Sequence, residues 1–222
     1  MDYERIVMDV ETQRDFFLPS GSLYTPEAAE AARNVYRIFE WVRGHNIPVI
    51  STVLRVRAGD RGPMAIDDRP HCVDGTSGEK KLPRTVLPRR VNLGLLNSTD
   101  LPENLFGRFQ QVIFEKRDTD IFAHARAERL LTDLRGSTFI LCGAGVAQGL
   151  VQAAVGLRTR GFGVIVARDA IVDLGHPRAE MARLRMQAKG AIFAPTADII
   201  ATPIPPKRRA FRTAGAPRPR IS

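Results

Sequence analysis

The sequence predicts an α/β protein with three layers around a central, mostly parallel sheet of about six strands. Two observations predict it. Short apolar runs end at polar or charged residues, as buried parallel strands do. Stretches with apolar residues at helical spacing separate those runs, and strands alternating with helices form a parallel sheet in one layered domain. No internal repeat suggests a solenoid instead.

The elements follow in order. Residues 5–11, Arg-Ile-Val-Met-Asp-Val-Glu, form the first strand. Thr25-Pro26-Glu27 begins a helix, with Thr as N-cap, Pro at the first position and an acid in the first turn. Ala29, Ala32, Val35, Tyr36, Phe39 and Val42 follow at helical spacing, and Gly44 ends it. Residues 47–54 are the second strand. Residues 55–108 are rich in Gly, Pro and charge and show no periodicity. A loop this long in a compact domain builds or covers a site. Residues 111–116 are the third strand, 127–134 a helix, 138–142 the fourth strand and 147–160 a helix. Residues 163–167 are the fifth strand. A helix over 177–189 directs Met181, Leu184 and Ala188 inward and closes at Gly190. Residues 198–202 are read as a last short strand.

Composition sets outer bounds. Hydrophobic residues make up 44% of 222 positions, enough for a sizeable core, which excludes global disorder. Two cysteines, Cys72 and Cys142, are not a disulfide framework. The charged start runs straight into a strand, and no apolar run is long enough to span a bilayer. A cytoplasmic protein without membrane contact is expected, and a homo-oligomer. The net charge of +9 is uneven: Lys207, Arg208, Arg209, Arg212, Arg218 and Arg220 in residues 203–222 face no acid. Five prolines in that stretch oppose helix and strand. It reads as a disordered basic tail behind a domain of residues 1–202. It is either a solubilising terminus or a weak, salt-sensitive contact for polyanions through phosphate charge. With Phe211 alone it is no stacking platform.

Three stretches carry chemistry. Residues 139–161 read as a strand, a Gly-rich turn from Gly143 and a helix, with Gly149 at the helix start and Gly156-Leu157 beyond it. Residues 11–23, Glu-Thr-Gln-Arg-Asp-Phe-Phe-Leu-Pro-Ser-Gly-Ser-Leu, follow the first strand. Residues 114–122 read Phe-Glu-Lys-Arg-Asp-Thr-Asp-Ile-Phe. Together these resemble the isochorismatase-like cysteine hydrolases, in particular their nicotinamidase-like branch, over about residues 4–202. The resemblance implies an isochorismatase-like, Rossmann-like domain. It also implies a parent activity: cleavage of non-peptide amide bonds through a cysteine thioester.

Residue by residue, the resemblance places the general base at Glu11, where the family has Asp, and the catalytic lysine at Lys116. It places the nucleophile at Gly149, which has no side chain to attack with. Asp9, two residues before Glu11, is the competing assignment for the base. Glu11 is preferred because Gln13, Asp15, Phe16, Pro19 and Gly21 then fall into the pattern. Gln13, Phe16, His71, Gly145, Val146 and Gln148 become the substrate and oxyanion region. Independently of any family, ligands of open parallel sheets bind at the carboxyl ends of the strands, where Glu11, Lys116 and the turn 143–149 all lie. Glu11 and Lys116 are expected to pair as neighbours on adjacent central strands. Cys142 reads as a core hydrophobe. Cys72, in Arg69-Pro-His-Cys, reads as an inherited bystander of a stretch whose histidine is a metal ligand in the family.

No metal and no cofactor are expected. The family's other metal ligands, an Asp-x-His after the second strand, are replaced by Val53-Leu54-Arg55. His45, His124 and His176 read as surface or cap residues. The expected function is an isochorismatase-like protein without cysteine-dependent amide hydrolysis, its pocket silent or repurposed for a small polar or aromatic ligand. The alternatives are a hydrolase in which Glu11 activates water, and a scaffold protein with a polyanion-contacting tail.

Overall fold

The computed structural model describes residues 3–64, 68–96, 98–134 and 136–203. Their elements, in chain order, are β1 (Arg5–Val10), α1 (Arg14–Phe17), α2 (Ala28–His45), β2 (Val49–Leu54), β3 (Arg90–Asn92), α3 (Leu105–Arg108) and β4 (Gln111–Lys116). There follow α4 (Ala125–Asp133), β5 (Thr138–Ala144), α5 (Val151–Thr159), β6 (Gly163–Val172), α6 (Ala179–Ala188), β7 (Ile192–Ala194) and α7 (Thr196–Ala201). The strands form one parallel sheet in the order β3-β4-β2-β1-β5-β6-β7.

Side-chain alternation along β1 splits the core in two. Ile6, Met8 and Val10 pack with Leu130, Leu131, Ala154, Leu157, Ala182 and Met186 of α4, α5 and α6. Val7 faces the other way, with Val35, Ile38, Phe39 and Val42 of α2 and Ile199 of α7. Phe16, Phe39, Phe114 and Phe139 are fully buried, each contributing about 1.5–3 kcal/mol. A β1 buried on both faces has its carboxyl end surrounded by the loops that build the site.

The three-layer architecture is as expected, with seven strands rather than about six. Several local expectations are corrected. The short strand expected at 198–202 is the helix α7, and the last strand is β7, just upstream. Asp169 accepts from the N–H and hydroxyl of Thr196 (2.8 and 2.7 Å), which turns the chain into that helix. β3 lies in the aperiodic stretch 55–108. Its three residues add to the sheet by backbone pairing with β4, which leaves no side-chain pattern. Helix α6 turns Ala179, Ala182 and Met186 inward, whereas Met181 and Leu184 are 67% and 50% exposed and Ala188 is exposed too. Thr25 does not cap α2. Its carbonyl accepts from Ala28 (2.9 Å), and the helix ends past Gly44 at a left-handed Asn46. The basic tail lies outside the described residues from 204 onward.

One glycine shows how tightly α5 is seated. A Cβ on Gly156 would overlap the Phe122 ring, which Arg160 covers from outside at 4.0 Å. Gly156→Ala is therefore expected to destabilise by about 1–3 kcal/mol, despite the better helix propensity of alanine. Denaturant unfolding checks this, and Phe122→Leu in the same chain should recover part of the loss. An unchanged or raised stability would refute the close packing.

Candidate functional site

β1 ends in Asp9 and Val10 and Glu11 follows it, and the two acids are used differently. Asp9 is fully buried on the α2 face. Its Oδ2 accepts from Lys81 Nζ (2.5 Å) and Ser51 Oγ (2.9 Å). Lys81 also donates to Thr12 Oγ1 (2.8 Å), and Gln111 donates to Ser51 (2.8 Å) and to the carbonyl of Thr85 (2.8 Å). This polar chain ties β1, β2 and β4 to the loop after β2. Nothing in the sequence singles out Lys81, because Lys80-Lys81 looks like any exposed basic pair.

Glu11 turns away from that chain. Its φ of +52° lies in the left-handed region, which a non-glycine residue adopts only when its surroundings hold it there. Its N–H is held by Thr52 Oγ1 at 3.2 Å. Its carboxylate meets Lys116 at the end of β4, in an ion pair through Oε1. The two strands are not adjacent as expected: β2 lies between them, and the long lysine side chain spans the gap. Lys116 Nζ also donates to the carbonyls of Asp118 (2.8 Å) and Thr119 (2.7 Å), so its three protons all have acceptors. Both side chains are almost completely buried. Burial raises the Glu11 carboxyl above the usual carboxylate range, against the pull of Lys116. Its Oε2 has no partner among the described residues.

The turn after β5 faces this pair. Gly143, at φ +127°, runs so close to the Val10 carbonyl that no side chain fits, and Gly145 is left-handed at φ +73°. A single π turn, Val146–Leu150, then leads into α5 in place of a regular helix start. A Cβ built on Gly149 would stand 2.9 Å from both carboxylate oxygens of Glu11. Real Cβ atoms do not approach that closely without displacing something. The carboxylate thus occupies the space a side chain at 149 would need. Met64, fully buried, lies against Gly145.

The remaining expected site residues divide clearly. Gln148 is buried with Oε1 unpartnered and lies at the turn with Gly145. The N–H of Gly145 is committed to the carbonyl of Val172 (2.9 Å), and that of Gln148 to Gly145 (3.0 Å). Val146 is a core residue. Gln13 uses its amide to tie the end of β1 to both backbone groups of Leu54 and to the Glu79 carbonyl, each at 2.8 Å. Phe16 is core, its ring 6.2 Å from that of His71. His71 is buried, donates from Nδ1 to Arg69's carbonyl (2.9 Å) and presses Nε2 toward Gly62. Asp15, the motif acid, accepts from the N–H of Cys72 (2.6 Å) and holds the loop down. Gln13, Phe16 and His71 therefore build the frame, and Gln13 meets Glu11 through the backbone, its N–H donating to the Glu11 carbonyl (2.7 Å).

The cysteines are fully buried, and burial pushes both thiols well above their ordinary range, so neither is a ready thiolate. His124, expected as a surface or cap residue, is the N-cap position of α4 and is buried, its ring edge-on to Phe114 at 5.1 Å. At the end of β2, where the resemblance would place metal ligands, Arg55 is ion-paired with Asp74 (2.9 Å), Glu79 (2.7 Å) and Glu115 (3.1 Å). A permanent cation holding the local carboxylates does not fit a divalent-ion site.

Residues 6–198 match the family model described as the isochorismatase domain. Among solved structures, a nicotinamidase from Bacillus subtilis is 18% identical at a TM-score of 0.65, covering 86% of this chain and 99% of that one. An N-carbamoylsarcosine amidase from Thermoplasma acidophilum is 18% identical at 0.63, covering 87% and 97%. A pyrazinamidase from Pyrococcus horikoshii, in complex with zinc, is 20% identical at 0.63, covering 87% and 99%. At such identities the likeness concerns the fold. A sequence search of curated proteins finds no match.

Proposed function

The chain belongs to the isochorismatase family, and from that premise we propose that it is a member without cysteine-dependent amide hydrolysis. One observation carries the reading: the Glu11 carboxylate stands 2.9 Å from where a Cβ at position 149 would lie. The two departures from the family pattern then make one matched exchange. The nucleophile's side chain is gone, and the extra methylene of the acid carries its carboxylate into the vacated volume. A thiol route needs a thiolate beside the turn. Position 149 supplies no sulfur, and the buried Cys72 and Cys142 thiols are held protonated.

The unpartnered, buried Oε2 of Glu11 and Oε1 of Gln148 favour a second use of the same place. Two acceptors without donors suit a small N–H-bearing molecule. The cytoplasmic location and self-association expected from the sequence belong to the same proposal.

Purified protein incubated with nicotinamide, pyrazinamide and N-carbamoylsarcosine, before and after thiol alkylation, tests the reading. The expected result is no turnover above the uncatalysed rate in either sample. Turnover abolished by alkylation would overturn it and point to Cys72 or Cys142.

A further inference from the structure

The opposite end of the sheet carries a depression that the Glu11–Lys116 site does not use. The chain enters β1, β2 and β4 side by side there, and α3 and the end of α2 stand over the three entries. Between them lies a cavity of about 300 Å³, at the lower end of the size range of small-molecule sites.

Its walls are set by bonds that leave little freedom. The Gln110 amide donates to the carbonyls of Val42 (3.0 Å) and Ile47 (3.2 Å), locking the end of α2 to the entry of β2. The N–H of Gln110 donates to Arg89 (2.7 Å), and that of Val49 to Gln110 (2.8 Å). One wall is aromatic: the Tyr3 and Phe106 rings meet edge to face, with centroids 5.5 Å apart. Ile47 and Pro48 add apolar surface. The charges are unequal, Arg5 and Arg89 against Glu4. Arg5 is engaged elsewhere, donating to the carbonyls of Ile199, Thr202 and Pro203. Arg89 is exposed, and its guanidinium makes no hydrogen bond or ion pair among the described residues.

A preformed, partly aromatic slot with an uncommitted guanidinium at its rim selects a flat ring bearing an anion. The rings of the wall offer edge and face contacts to another ring. The guanidinium fork matches a carboxylate bidentately. We propose that this depression at the amino-terminal ends of the strands binds a planar aromatic carboxylate of one or two rings. The proposal is independent of what the Glu11–Lys116 site does.

The test titrates the full chain with benzoate, 2-naphthoate and the uncharged 2-naphthamide, by calorimetry and by amide shifts in NMR. Variants are Arg89→Ala, at an exposed position, and Phe106→Leu, which keeps the wall filled. Saturable 2-naphthoate binding is expected, with shifts confined to residues 3–5, 45–48, 89 and 106–110. Arg89→Ala should weaken it about tenfold, as should replacement of the carboxylate by the amide. Phe106→Leu should weaken both naphthyl compounds alike. No saturable binding would overturn the proposal. So would equal affinity in wild type and Arg89→Ala, or shifts centred on residues 143–149.

Discussion

Lys116→Met is expected to destabilise the protein by about 3–5 kcal/mol at pH 8, because it leaves the Glu11 carboxylate buried and unpaired. The loss should shrink as the pH is lowered. Burial already raises the Glu11 carboxyl above its usual value of 4.5. A carboxyl with a raised folded-state pKa binds more protons in the folded than in the unfolded chain, between the two pKa values. Stability therefore falls as pH rises through that window and returns as pH falls. Removing the cation that opposes the shift widens the window, by about 1.4 kcal/mol for each further unit. The difference between wild type and Lys116→Met, measured by denaturant unfolding from pH 8 to pH 5, should thus decrease toward acid. Glu11→Gln should be the milder single change, since Lys116 keeps the carbonyls of Asp118 and Thr119. The double variant should recover part of the Lys116→Met loss. Additive losses independent of pH would mean that the pair does not carry the site.

Gly149→Cys is expected to yield no substantial amidase, and to destabilise by about 1–3 kcal/mol through overpacking against Glu11. If Glu11 gives way, it moves out of its contact with Lys116. If it holds, the new thiol is displaced from the turn. A misplacement of about 1 Å is enough to lower a rate on the order of a hundredfold. The informative comparison is Gly149→Cys with and without Glu11→Asp. Shortening the acid withdraws the carboxylate from the contested space, so the double variant should be the more stable and the faster on nicotinamide by roughly that hundredfold. Equal rates in both would show that Glu11 is a competent base and that the steric conflict has no consequence.

The architecture was legible because it rests on local patterns. Apolar runs and helical periodicity marked β1, β2, β4, β5 and the first half of β6, and four of the longer helices. The motif spacing selected Glu11 over Asp9, and Gly149 as the bare position. Where the reading missed, the deciding bond was not local. β3 exists because its backbone pairs with β4, and α7 because Asp169 reaches Thr196 from another element. Met181 and Leu184 have the right residue type and helical spacing for the core, yet α6 lies against the sheet through Ala179, Ala182 and Met186. The phase of a helix is fixed by what it packs on.

The same division holds at the site. The sequence by itself determined the family, the layered fold and the identity of the residues at the strand ends. Only the tertiary structure decided their relations. Lys116 reaches across β2 to Glu11, Asp9 is taken by Lys81, and Arg55 holds the carboxylates at the end of β2. The carboxylate of Glu11 fills the space beside Gly149. A sequence names the groups and their order along the chain. Whether two groups share one volume depends on contacts between residues as far apart as 11 and 149, and that is settled only when the sheet has closed and the turn after β5 has been laid against the end of β1.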